Sequence, residues 1–438
     1  MIQRVLDIER SPPAALSLRF FLTAPLFAVL AGAVLLWDGE AAFASRWSPA
    51  VLAATHLLTL GVLTMVMCGA LLQLLPVVAG AAIPRAALCA RLMHGPLSAG
   101  TLLLALAFWR QAPLLFALAT PPLVLSLAWL LAGCGAALWR AAPEGVDRNR
   151  ALPMTGAVRT ALLALAPTLV AGATMAAMLA WPRPAGLQTM ADLHAMWGLL
   201  GWVGMLLIGV AWQVIPMFQV TPLYPASITR ALGLLVPALL VAVTVAQVAG
   251  HALAAPLRAL LFGAFALFAI FTLLLLARRK RPAPDSTTLF WRLSMASLLA
   301  CAPAWYAPLS ETARPLLLGI LFLLGFASSA IHGMLYKIVP FLLWHHWQEQ
   351  GLGRPVPGIR QVILDAHALA HFYCHLLAVT LLALAALWPA WLLRPAALAL
   401  IASNLVLGLN LVRAARCGAD AKPPAGKPAA RPAPLQAP

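Results

Sequence analysis

The chain has 438 residues, of which 63% are hydrophobic and 9% are charged, and its formal net charge is +17. A soluble domain carries about 25% charged residues, so the composition excludes a soluble globular protein, a disordered protein and a secreted disulfide-stabilised protein. The basic residues lie in short connections between long apolar runs, which argues against a nucleic-acid-binding face. The sequence therefore predicts an all-α polytopic membrane protein in contact with a lipid bilayer.

Twelve apolar runs are long enough to cross about 30 Å of hydrocarbon at about 1.5 Å per residue. The ninth run, which ends at Tyr306, is the least apolar of them. The runs begin near Leu18, Ala50, Leu88, Pro113, Val158, Met190, Ala231, Leu257, Leu289, Pro315, Val362 and Pro395.

The basic residues are distributed very unequally between the two sides that twelve spans define. The side of the N-terminus holds 22 of the 29 basic residues, the other side holds 6, and Lys337 lies within a span. Lys and Arg accumulate in cytoplasmic connections, so we expect both termini in the cytoplasm at a bacterial-type inner membrane. We expect a transmembrane domain over residues 1–416 and a disordered, Pro- and Ala-rich tail over residues 417–438.

The second, sixth and tenth runs share one template, G-x7-G-x3-[Q/K]-x2-P. Glycines eight residues apart clear one helix face for close packing, and the proline loosens the last turn. Because the template recurs every four helices, an even number, the repeats run parallel, and we predict three parallel four-helix repeats over about residues 17–140, 157–277 and 288–412. The template positions are Gly61, Gly69, Gln73 and Pro76; Gly201, Gly209, Gln213 and Pro216; and Gly325, Gly333, Lys337 and Pro340.

Two of these runs carry more specific sequences, THLLTLGVLTMVMCGALLQLLPVVAGAAIPR from Thr55 and HAMWGLLGWVGMLLIGVAWQVIP from His194. With them the chain resembles the catalytic subunit of haem–copper oxidases, and especially the oxidase-shaped NnrS-like proteins that lack oxidase activity. The resemblance implies twelve helices in three arcs and haem-ligand histidines at His56 and His194. In the family pattern H-x-H the second histidine is replaced here by Met196, and helix 7 lacks the copper-binding His-His pair. The resemblance therefore does not imply a complete terminal oxidase, and whether the protein is an enzyme stays open.

His56 and His194 lie at matching depths in their helices. They precede the template proline by 20 and 22 residues, which places them within about 3 Å of each other in depth. We predict that they ligate one haem b near the outer face, with Met196 as a competing ligand. We expect Gly61, Gly198 and Gly201 to open a slot for the ring. The alternative is that each histidine forms a hydrogen bond to a neighbouring helix.

A second histidine group lies deeper. His367, His371 and His375 share one helix face at i, i+4 and i+8, and an antiparallel turn places His332 level with His375. With His94 on the third helix, His332, His371 and His375 are candidate ligands for copper, another transition metal or haem iron. Cys374 is a weaker candidate ligand, and a hydrogen-bonded seam or a proton path is the alternative to a metal.

The other singled-out residues have simpler interpretations. His345 and His346 fit an interfacial aromatic belt, and Lys337 is expected to extend toward the membrane surface, with proton transfer or anion binding as the alternative. Two function classes follow for the whole chain. The first is a b-type haem protein, with a redox partner or additional subunit, in electron transfer, response to O2 or NO, or haem and copper handling. The second is a twelve-helix secondary transporter without haem.

Overall fold

The computed structural model describes residues 12–140, 148–181, 187–281, 283–349 and 357–417, and these residues form twelve long helices and no strand. Eleven of the helices are long and apolar enough to cross a membrane. The one remaining helix, Ser286–Tyr306, is a regular helix of 21 residues but belongs to the least apolar run. The chain is thus a multi-pass, all-helical membrane protein, as its composition predicts.

The helices follow one another with short connections. A 3₁₀ segment, Gly39–Ala44, follows the first helix, and a separate helical turn, Ile359–Val362, precedes the eleventh. The helices are α1 Ala14–Asp38, α2 Pro49–Ala79, α3 Ala86–Arg110, α4 Pro113–Arg140, α5 Arg148–Ala180, α6 Leu187–Gln219, α7 Ala226–Val248, α8 Ala254–Ala277, α9 Ser286–Tyr306, α10 Ala313–Glu349, α11 Asp365–Ala385 and α12 Pro389–Cys417.

Several helix boundaries differ from the expected ones. α5 begins well before Val158 and α12 begins before Pro395, because the helical hydrogen bonding starts in the less apolar residues that precede each apolar run. The run at Val362 does not begin α11, since Ile363 is extended with φ −132° and ψ 118° and separates the helical turn from the helix. Cys417 is the last residue of α12 rather than the first residue of a tail. The predicted disordered tail otherwise lies outside the described residues.

α2, α6 and α10 each contain a π-helical segment, and the three segments have the same register. They span Thr59–Thr64, Trp197–Gly204 and Leu321–Ser328. Each contains the first template glycine, and each ends 12 residues before the template proline. π segments are rare and occur frequently at functional sites.

The template glycines pack against the helix that precedes their own. A Cβ atom added to Gly61, Gly201 or Gly325 would overlap Phe27, Ala164 or Ser297, respectively. A Cβ added to the second glycine of each template would meet the side chain seven residues earlier on the same preceding helix: Phe20 for Gly69, Ala157 for Gly209 and Phe290 for Gly333. The glycines therefore bring α1 against α2, α5 against α6 and α9 against α10 at backbone-contact distance.

The Gln/Lys position of the template contacts the start of the preceding helix. Gln73 Nε2 donates to the carbonyl of Pro12 at 3.1 Å, just before α1. Lys337 Nζ lies 2.7 Å from Asp285 Oδ2, at the N-cap of α9. Lys337 thus extends toward the helix ends, where a carboxylate neutralises its ammonium group, and both side chains of this pair are 25% exposed.

Candidate functional site

A cavity of about 740 Å³ opens between α2, α3, α4, α5, α6 and α10. We call it the outer cavity, because it lies along the N-terminal halves of α2 and α6. Its walls are mostly apolar side chains, and His56 and His194 are the two histidines that line it. A largely apolar cavity with a few converging polar groups is the usual form of a small-molecule or cofactor site, for which volumes of about 300–1,000 Å³ are typical.

His56 is held in a single orientation within this cavity. Its Nδ1 lies 2.8 Å from the carbonyl oxygen of Leu52, one turn earlier in α2, and its ring stacks on Phe108 of α3 at a centroid distance of 4.8 Å. A carbonyl oxygen only accepts, so Nδ1 carries the proton of the neutral ring. The lone pair of His56 is therefore on Nε2.

His194 has the same tautomer for the same reason. Its Nδ1 lies 3.0 Å from the carbonyl oxygen of Thr168 on α5, which again leaves the lone pair on Nε2. A Cβ at Gly172, also on α5, would stand 3.0 Å from the imidazole Cε1. Gly172 therefore supplies the space that this ring occupies, a role that sequence reasoning missed.

The structure brings the two imidazoles together. Their ring centroids are 6.4 Å apart and their planes differ by 25°. Two metal–imidazole bonds of about 2.0–2.1 Å, plus about 1.1 Å from nitrogen to centroid on each side, separate the centroids of two opposed ligands by about 6.3 Å. The centroid distance of His56 and His194 thus matches that of two imidazoles that would hold one metal ion between them.

Other predicted parts of this site are placed differently. Gly198 lines the outer cavity, but Gly61 and Gly201 face Phe27 and Ala164 and do not open a slot. Met196 packs against the apolar core and is not among the residues that line the cavity.

Two polar contacts join side chains that line the cavity. Arg46 and Asp192 form a salt bridge of 2.8 Å, and both side chains line the cavity. Deeper in, Trp202 Nε1 of α6 donates to Thr64 Oγ1 of α2 at 3.1 Å. The two π segments, which hold these last two residues, are thereby joined across the cavity.

The second site is a cluster of three histidines, which we call the inner triad: His332 on α10 and His371 and His375 on α11. One nitrogen from each lies within 4.8 Å of the others. The three residues are 2%, 0% and 1% exposed. The predicted level of His332 with His375 agrees with their centroid distance of 4.7 Å.

The inner triad is almost without hydrogen bonds. Five of its six ring nitrogens have no partner among the described residues. The exception is Nε2 of His375, which lies 2.9 Å from Ser329 Oγ. Buried polar atoms are ordinarily hydrogen-bonded, so a group of this kind is consistent with a ligand that uses the free nitrogens.

Two other histidines of the predicted inner group lie elsewhere. His94 contacts Thr23 Oγ1 at 3.0 Å through Nε2 and meets Phe20 edge-on, because α3 packs against α1 and α2 rather than against α10 and α11. His367 is exposed, because it lies near the start of α11, beyond the buried part of the face it shares with His371 and His375. Neither residue belongs to the triad.

No model of a known protein family matches the sequence, and no curated protein matches it either.

Proposed function

We propose that the chain is built from three parallel four-helix repeats, α1–α4, α5–α8 and α9–α12, with both termini in the cytoplasm of a bacterial inner membrane. Three recurrences support the repeat: the register of the π segments, the packing of both template glycines on the preceding helix, and the contact of the Gln/Lys position with that helix start in the first and third units. Such a scaffold resembles the catalytic subunit of haem–copper oxidases.

On this scaffold we propose a b-type haem-binding protein that transfers electrons within the membrane. The observation that carries the proposal is the outer histidine pair. His56 and His194 come from different helices and expose unprotonated Nε2 atoms, and their ring centroids lie 6.4 Å apart beside a cavity of about 740 Å³.

The surrounding residues prepare the two nitrogens for a metal. The carbonyl oxygens of Leu52 and Thr168 hold each ring in one tautomer, which is the usual role of the groups behind a metal-ligating histidine. The stack on Phe108 and the space at Gly172 fix the ring positions. The wall of the cavity is mostly apolar. A haem held by two histidines supplies one-electron chemistry and keeps no open position on iron, which favours electron transfer, with a redox partner or subunit, over activation of a gas.

The test is the optical spectrum of the purified protein and of single variants. We expect a low-spin b-type spectrum and a pyridine haemochrome of haem b from the wild type. His56→Ala and His194→Ala should each abolish the low-spin spectrum. His94→Ala removes a membrane histidine outside the cavity and should leave the spectrum unchanged, as should Met196→Leu.

Two results would contradict the proposal. An unchanged low-spin spectrum in both His56→Ala and His194→Ala would exclude the pair as ligands. A colourless protein after expression with ample haem would favour the alternative, a transporter that uses the outer cavity and its Arg46–Asp192 pair for a small substrate.

A further inference from the structure

We propose that the inner triad binds one monovalent copper ion, Cu(I), through three imidazole nitrogens. The site involves none of the residues that line the outer cavity. It therefore does not depend on the proposed haem.

The spacing of the rings suits a threefold site. A metal–nitrogen bond of about 2.0 Å places each ring centroid about 3.1 Å from a shared ion. In a trigonal arrangement the three centroids are then about 5.4 Å apart. The centroid of His332 lies 5.1 Å from that of His371 and 4.7 Å from that of His375, and His371 and His375 are 6.0 Å apart. The three distances scatter around the trigonal value, and one nitrogen of each residue lies within 4.8 Å of the others.

A hydrogen bond selects the nitrogen that His375 offers. Ser329 Oγ has one hydrogen, and it is positioned to donate it to the carbonyl of Leu324 at 3.2 Å. The oxygen then accepts from Nε2–H of His375 at 2.9 Å. Nδ1, which has no partner, consequently carries the lone pair. A histidine with one nitrogen tied and the other free is the common arrangement around metals.

The charge of the surroundings favours a monovalent ion. Within the described parts of the chain, no acidic side chain joins the three histidines as a possible fourth ligand, and Asp285, at the N-cap of α9, is already paired with Lys337. Three neutral imidazoles leave the charge of the ion uncompensated. Because the cost of burying a charge grows with its square, a dication costs about four times as much as a monocation in the same site.

The packing around the triad also disfavours zinc. Zn²⁺ on three histidines takes a fourth ligand, ordinarily water or hydroxide. Here the ring of Phe290 lies 6.2, 5.3 and 5.8 Å from those of His332, His371 and His375, and Tyr336 lies 5.6 Å from His371. Cu(I) has a filled d shell and accepts three ligands without a fourth, and imidazole suits copper.

The experiment is an anaerobic titration of the detergent-purified full chain, freed of metal, with Cu(I) in competition with the coloured chelator bicinchoninate. We expect one Cu(I) per chain for the wild type. His332→Ala and His371→Ala should weaken binding by about 100-fold or more, and Ser329→Ala, behind the ligand, by about 10–100-fold. His367→Ala, one turn before His371 on the same helix, is the matched control and should bind as the wild type does.

A measurement on the unaltered protein keeps the test independent of how the variants fold. X-ray absorption at the copper edge should give a Cu(I) spectrum with three nitrogen neighbours and no sulfur. A sulfur neighbour would assign the ion to Cys374 or another thiol and overturn the proposal. Unchanged affinity in His371→Ala would overturn it as well, and so would Zn²⁺ that displaces Cu(I) at equal concentration. His56→Ala should retain full Cu(I) binding even where it loses haem.

Discussion

Replacing Gly209 by alanine tests the close helix contact on which the repeated packing depends. A Cβ at this position overlaps the Cβ of Ala157 on α5 and stands 3.5 Å from the carbonyl oxygen of Met154. Carbon atoms pack best at about 3.5–4.0 Å, so α5 and α6 must move apart. Overpacking of this kind costs about 1–3 kcal/mol, and the intrinsic preference of alanine for a helix returns about 0.5–1 kcal/mol. We expect a net loss of about 1–2 kcal/mol in the free energy of unfolding.

The assay is thermal unfolding in detergent at one fixed heating rate, followed by helix content. Gly263→Ala on α8 is the matched control, because a Cβ there meets nothing within 4 Å, and it should be neutral or stabilising by up to about 1 kcal/mol. Ala157→Gly combined with Gly209→Ala removes the overlapping carbon and should recover most of the loss. Equal melting of Gly209→Ala and Gly263→Ala, or no recovery in the double variant, would refute the packing argument.

Two further predictions concern topology and the ion pair. A reporter inserted at Gln111 should be external and one inserted at Lys280 cytoplasmic, and the reverse result would reject the proposed orientation. Burial alone would raise the pKa of the Asp285 carboxyl, but Lys337 and the hydrogen bonds from Thr288 outweigh it and lower that pKa. The pair therefore stabilises the fold above the unfolded pKa of about 3.9, and this contribution is lost as the pH falls through the lower folded value. Asp285→Asn should lower the free energy of unfolding by about 2 kcal/mol, a value between those of exposed and buried ion pairs. The double variant Asp285→Asn, Lys337→Gln should recover part of this loss, and its stability should no longer fall at acid pH on account of this pair. Equal melting temperatures of the single and double variants would contradict this.

The parts of the structure that depend on local pattern could be predicted from the sequence. Apolar runs mark membrane-length helices because each residue contributes its own transfer free energy. The inner triad could be predicted from the sequence for a similar reason. His371 and His375 share a face by helix geometry alone, and a short antiparallel connection limits which residues of α10 can lie opposite them. His332 was found in this way.

The features that depend on which helices pack against each other could not be predicted from the sequence. The sequence places His94 at the same membrane depth as the triad, but its helix packs in another part of the bundle, beside Thr23 and Phe20. The partner of Lys337 was missed because Asp285 lies outside the apolar run, at a helix N-cap. Gly172 and Ser329 act through a ring on another helix. Small and hydroxyl residues are common in membrane helices, so these two gave no distinct signal.

The π segments explain why the sequence predicts the depth of a side chain in the membrane better than the direction in which that side chain points. A π turn holds more residues than the 3.6 of an α turn, so each segment changes the direction of every side chain after it relative to those before it. His194 lies before the segment in α6 and Gly201 within it, so the seven-residue spacing that aligns two side chains in a uniform α-helix does not align these two. Height along the helix axis changes much less. One span can therefore line the outer cavity with His194 in its first half and pack Gly209 closely against α5 in its second half.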